Sequence, residues 1–139
     1  MPRECSTLVH EWFEHVWNQG QRDEIDRLMA PDAVVHGLKD DDGNPDHGSA
    51  GFKPMYDAFR QALPDMRIDV DDCLRDGDTI AFRCTVRGTH SGDGLGVAAT
   101  NQAVEFQGMG FIREENGQIV EAWNTFDFLD LYRQIGATP

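Results

Sequence analysis

Two tight-turn signals, Asp76-Gly77-Asp78 and Asn116-Gly117, divide the second half of the chain into runs whose side chains alternate. Met66, Ile68 and Val70 alternate with polar residues; Ile80, Phe82, Cys84 and Val86 alternate with Arg83, Thr85 and Arg87. A period of two marks a half-buried strand, and Asn-Gly supplies the left-handed pair of a two-residue hairpin. Gln102 to Arg113 and Gln118 to Asp127 flank the second turn as two more strands, and the glycine-rich Ser91 to Asn101 leads into them. Four long strands in sequence order read as a meander.

The first half reads differently. Leu8, Val9, Trp12, Phe13, Val16 and Trp17 have helical spacing over residues 6 to 19, with Ser6 to cap the start and Gly20 to end it. A short helix over about 22 to 29 is broken at Ala30-Pro31-Asp32, and Ala33 to His36 reads as a short strand. Residues 38 to 50 are a polar loop. A third helix runs from about Phe52 to Leu63 and stops at Pro64; a fourth closes the chain from about Phe128 to Ile135. Helices segregated from an antiparallel sheet define an α+β fold. A strongly bent sheet wrapped over the N-terminal helices encloses a pocket, and Gly108 and Gly110, two apart in one strand, favour the bend.

At 139 residues the chain is expected to be one domain that folds without a metal or disulfide staple. Its formal net charge of -13 argues against nucleic acid and anionic membrane surfaces as partners. No apolar run approaches the ~20 residues of a membrane span, and Met1 to Cys5 has no apolar signal core, so a cytoplasmic location is expected. Cys5, Cys73 and Cys84 include no Cys-x-x-Cys, and hairpin pairing sets Cys73 near Ile80 or Ala81; the thiols read as small buried hydrophobes. No His-x-His, His-x-x-x-His or cysteine pair is present, so no metal site is expected.

The last strand carries the most chemistry. Glu121, Trp123, Thr125 and Asp127 share one face. If the Asn-Gly turn pairs Glu115 with Gln118, Gly110 faces Trp123 and Phe106 faces Asp127, leaving a groove beside Trp123; a three-residue turn puts Met109 there instead. Trp123 and Phe106 can then wall in Asp127 and tune it as a general acid or base. Asp127 is equally placed to cap the final helix. His36, at a strand end before Gly37, is a candidate to orient a substrate carbonyl or a rim histidine bonded to the loop. His90 is a turn-stabilising or pocket residue, His47 sits in the polar loop, and His10 and His15 lie on the solvent face of the first helix. Trp12, Tyr56 and Phe59 are the helix residues expected to line a pocket, though such faces also serve as plain core. Arg83 and Arg87 read as surface or interface ion pairs.

Trp12 to Gly20, Asp32 to Gly37, Leu63-Pro64-Asp65, Arg87 to Gly92 and Glu115 to Trp123, in this order, resemble the SnoaL-like polyketide cyclases of the ketosteroid-isomerase and nuclear-transport-factor-2-like superfamily. The resemblance spans nearly the whole chain and implies a cone-shaped α+β barrel, a homodimer, and a pocket between sheet and helices. It implies ring closure of a hydrophobic, carbonyl-bearing small molecule by aldol condensation without cofactor, with Asp127 at the position of the family's acid/base. Where those cyclases carry a histidine on the preceding strand, this chain has Met109, Phe111 and Arg113, and where they have Thr-Gly it has Thr100-Asn101. Isomerisation, epoxide or ester hydrolysis, and non-catalytic ligand binding are the alternatives. The expected site is Asp127 and His36 with Trp12, Tyr56, Phe59, His90, Phe106, Met109 and Trp123.

Overall fold

The computed structural model describes residues 6–39 and 45–136. Helix α1, Thr7–Glu11, starts at the Ser6 cap, whose Oγ accepts from the Val9 amide at 3.2 Å. It continues as a π-helical stretch, Trp12–Asn18. The wider turn sets Trp12, Phe13, Val16 and Trp17 together against the core. Carbonyls near its end are taken by side chains of a later helix: Tyr56 Oη donates to Val16 O at 2.8 Å and Arg60 to Trp17 O at 3.1 Å. Asn18 fastens the stretch to the sheet by bonding both the amide and the carbonyl of Ile68.

Helix α2 is Glu24–Leu28, and strand β1 follows at once, Met29–Lys39. The chain therefore does not break at Pro31. It goes straight into an eleven-residue strand, far longer than the Ala33 to His36 segment that alternation marks. Strand β2, Pro45–His47, returns antiparallel to β1, so part of the expected loop is paired. Residues 40–44 and the His47 side chain lie outside the described residues. Helix α3, Gly48–Ala62, carries Pro54 and ends two residues before Pro64.

Strands β3, Arg67–Asp76, β4, Thr79–Thr89, β5, Ala103–Glu115, and β6, Gln118–Phe126, form the expected antiparallel meander. Helix α4, Phe128–Gln134, closes it. The sheet order is β2-β1-β6-β5-β4-β3, and β1 joins β6 in parallel. The sheet is thus mixed, and it curls over the helices as a cone-shaped α+β fold. One continuous apolar core fills the space between the helices and the concave face. Asn116 and Gly117, at φ 54° and 77°, make the tight turn that the sequence marks, and Asn101 is left-handed too.

Cys84 is buried and free, and burial pushes its thiol up to about 12. Cys73 is disulfide-bonded, which corrects the expectation that all three thiols are reduced. Cys73 pairs across the hairpin with Phe82, one residue beyond the expected register, because the turn is Gly77-Asp78 and Asp76 pairs with Thr79.

Candidate functional site

The position of every candidate on the last hairpin is decided by one irregularity. Glu115 pairs with Gln118 and Glu114 with Ile119, as a two-residue turn requires. The next pair is Arg113 with Glu121, so Val120 is an extra residue on β6. Beyond this bulge, Phe111 faces Trp123, Gly110 faces Asn124, Met109 faces Thr125 and Gly108 faces Phe126. A one-residue slip exchanges the faces presented by a strand. The concave face receives Ile112, Ala122, Asn124 and Phe126; the outer face receives Phe111, Trp123, Met109 and Thr125.

The concave face lines a cavity of about 60 Å³. Trp12 and Phe59 line it from the helices and Phe106 from β5, as the sequence suggests. Asn124 is the only lining residue with a side-chain oxygen among those described. The amide nitrogen of Asn124 donates to the His36 carbonyl at 3.1 Å. A groove does border Trp123, but the two glycines do not open it as expected, because they lie on the concave face under aromatic rings. A Cβ on Gly108 would lie 2.1 Å from the Phe126 ring, and one on Gly110 would lie 2.9 Å from the Phe82 ring. Phe126, Phe128 and Phe59 continue as a row: Phe126 stacks on Phe128 at 5.8 Å and 27°, and Phe128 lies 5.6 Å from Phe59 at 32°. These three are partly buried, unlike Phe106 behind them.

Several expected site residues lie elsewhere. Asp127 is exposed; its carboxylate accepts from the Asp130 amide at 3.1 Å as the N-cap of α4, and its own amide donates to Gln107 O. The cavity lining does not include it, and the register opposite Phe106 is lost with the bulge. The expectation that Asp127 faces an apolar pocket is corrected on that geometry. Tyr56 is buried, but its hydroxyl is committed to Val16 O and it does not line the cavity. His90 is fully buried, with Nδ1 accepting from the Thr100 amide at 3.2 Å. It ties the two ends of the glycine-rich connection, and its Nε2 has no hydrogen-bond partner among the described residues.

His36, Met109 and Trp123 sit on the outer face, not in the cavity. They border an open groove of about 530 Å³. His36 Nε2 lies 2.8 Å from Glu121 Oε2, and Arg113 donates to Oε1 at 2.9 Å. These bonds, His36 first and Arg113 second, hold the Glu121 carboxyl below the usual carboxylate range. The His36 ring stacks on Trp123 at 5.3 Å and 18°. Leu74, Ala81, Phe111, Trp123 and His36 are successive cross-strand partners, so one apolar stripe crosses five strands. Leu74 is 60 % exposed, Phe111 53 % and Trp123 40 %, with Met109 beside them at 53 %. Arg87 pairs with Asp69 and Glu105, and Arg83 reaches Asp71 at 4.0 Å, all on partly exposed side chains as surface ion pairs.

Asn124 and Phe126 are cavity residues that simple alternation puts on the opposite face from Trp123 without assigning them to the site. The signal for them is the doublet Ile119-Val120 ahead of Glu121, which breaks the period of two at the bulge. Among the described residues no group of His, Cys, Asp and Glu side chains is arranged to hold a metal ion, and no helix is long and apolar enough to cross a membrane.

Comparison with known proteins agrees with this architecture. IdmH from Streptomyces antibioticus, a proposed polyketide cyclase, superposes with a TM-score of 0.82 at 31% identity, over 96% of this chain and 99% of that one. AclR from Streptomyces galilaeus, a proposed hydroxylase, gives 0.80 at 27% identity, over 95% of this chain and 84% of that one. A Catenulispora acidiphila protein with a ketosteroid isomerase-like fold gives 0.77 at 13% identity, over 98% and 96%, and shows the fold alone. No curated protein matches significantly. The family profile described as SnoaL-like polyketide cyclase matches residues 7–135, so the chain belongs to the SnoaL-like polyketide cyclase family.

Proposed function

We propose that this protein is a cofactor-independent, cyclase-type member of its family that takes a hydrophobic, carbonyl-bearing small molecule into the interior cavity. The observation that carries the reading is the apolar chamber between the π-helical stretch, α3 and the sheet, with Asn124 as the one oxygen-bearing side chain of its described lining. A flexible chain held there is confined to few conformers, which favours ring closure by proximity. At about 60 Å³ the chamber is below the roughly 300 Å³ of ordinary ligand sites, so the ligand must displace aromatic rings as it enters. Among the described residues no carboxylate lines the chamber, so this reading assigns the protein confinement and orientation and leaves Asp127 as a helix cap.

The test is heptane-2,6-dione, whose intramolecular aldol reaction joins a methyl carbon to the far carbonyl and then loses water to give 3-methylcyclohex-2-enone. Protein-dependent growth of enone absorbance supports the cyclase reading. Saturable binding with no enone formed supports a ligand-binding protein of the same fold instead.

A second observation favours a homodimer as the working state. The stripe Leu74, Phe111, Trp123 and Met109 leaves large apolar side chains in water, and a second copy is the partner that suits it. Charges of both signs border the stripe, Arg83, Arg87 and Arg113 among Asp69, Asp71, Glu105 and Glu121, so a two-fold contact need not oppose like charges. Light scattering should give twice the chain mass, and Phe111→Glu should give one chain mass. A monomer at micromolar concentration in the parent protein would contradict it.

A further inference from the structure

The cavity is small because Phe126 occupies it, and Asn124 lies two residues away on the same strand face. The Phe126 ring fills the space that Gly108 leaves empty, since a Cβ there would lie 2.1 Å from the ring and clash with it. The ring is one member of a near-parallel row with Phe128 and Phe59, and all three are only partly buried. A flat ring entering from that side therefore meets surfaces already spaced for aromatic stacking. Asn124 is orientated by its bond to the His36 carbonyl. A carbonyl only accepts, so the amide nitrogen must point there and Oδ1 is the free end. No described residue donates to that Oδ1, and among the described lining residues it belongs to the only side chain able to accept through oxygen; Asn124 also borders the outer groove. Residues i and i+2 of a strand are about 7 Å apart, comparable to the length of a fused two-ring molecule with its hydroxyl.

We infer that the interior cavity selects a planar ring bearing a hydroxyl donor, phenol or enol. The ring takes the slot that Phe126 fills over Gly108, and the hydroxyl donates to Asn124 Oδ1. Phe126 sets the size limit and Asn124 sets the polarity. This rests on the interior-cavity reading above; it adds the class of ligand and the two residues that choose it.

The matched probes are 2-naphthol and 2-methoxynaphthalene, in which a methyl group replaces the hydroxyl proton, titrated by calorimetry into the parent protein, Asn124→Ala and Phe126→Ala. Phe126→Leu, which removes the flat ring but keeps an apolar side chain, accompanies them in case the alanine variant folds poorly, and circular dichroism checks each fold. One neutral hydrogen bond predicts that 2-naphthol binds roughly three- to tenfold tighter than its methyl ether. Asn124→Ala should abolish that preference. Phe126→Ala or Phe126→Leu should tighten both probes by roughly tenfold, the effect of opening a ring-sized apolar space. Equal affinity for the two probes, or a preference that survives Asn124→Ala, overturns the inference while the cavity reading stands. Binding that is unchanged in both Phe126 variants does the same. Failure of both probes to bind any folded variant removes the cavity reading and this inference together.

Discussion

The two faces of strand β6 are built from the same nine residues yet meet opposite fates. Inward, Ala122, Asn124 and Phe126 join the apolar core and the cavity within it. Outward, Glu121, Trp123 and Thr125 stand on an open surface crossed by an apolar stripe. The inner face is specified by shape: two glycines receive two rings, and little free volume is left. The outer face is specified by charge and stacking, through Arg113, Glu121, His36 and Trp123. One extra residue, Val120, decides which side chains belong to which face. Chemistry that looks like an active site along the strand, an acid and a histidine near a tryptophan, lies outside the chamber.

The largest effect on this contrast should come from Gly37, where β1 passes β6. A Cβ there would lie 1.8 Å from the Asn124 carbonyl oxygen, with φ at 86°, so Gly37→Ala strains the backbone and separates the strands. A loss of about 4 kcal/mol or more is expected, measured by urea unfolding. Next comes a matched pair across the sheet. Phe126→Ala should cost about 2–3 kcal/mol, because a partly buried core ring leaves a cavity. Phe111→Ala, equally aromatic but 53 % exposed, should cost less than about 1 kcal/mol when measured on the monomer. Equal costs would erase the distinction between the faces.

A smaller effect lies away from the sheet. Arg27 and His15 hold the Glu24 carboxyl down to about 2 from its ordinary 4.5, the Arg27 hydrogen bond being the larger cause. A depressed folded-state pKa contributes stability that is complete above pH 4.5 and fades as pH falls towards 2. Acid titration should show the parent losing stability across that window, and Glu24→Gln should lose less of it.

Much of the fold was legible. The meander, the Asn-Gly turn, the Ser6 cap and the stop before Pro64 all follow from alternation and local backbone chemistry. The length of β1 was not, because Pro31 and Asp32 resemble a break and the parallel pairing with β6 is a long-range contact that no local pattern encodes. At the site, Trp12, Phe59 and Phe106 were legible as lining. Trp123 and Met109 were not, since a bulge inverts the faces without changing the hydrophobic content of the strand. Tyr56 and His90 are buried as expected of pocket residues, yet their polar atoms serve the π-helical carbonyl and the glycine-rich connection. For Asp127, capping and catalysis begin from the same sequence position, and only the direction of the carboxylate separates them.

The central claim is that the ligand enters the concave chamber and not the outer groove. The three tryptophans sample both places: Trp12 and Trp17 line the chamber and Trp123 lines the groove. Fluorine NMR of fluorotryptophan-labelled protein, with each signal assigned by a Trp→Phe variant, reads them separately. Addition of 2-naphthol should shift the Trp12 and Trp17 resonances and leave Trp123 in place; a shift confined to Trp123 would contradict the account.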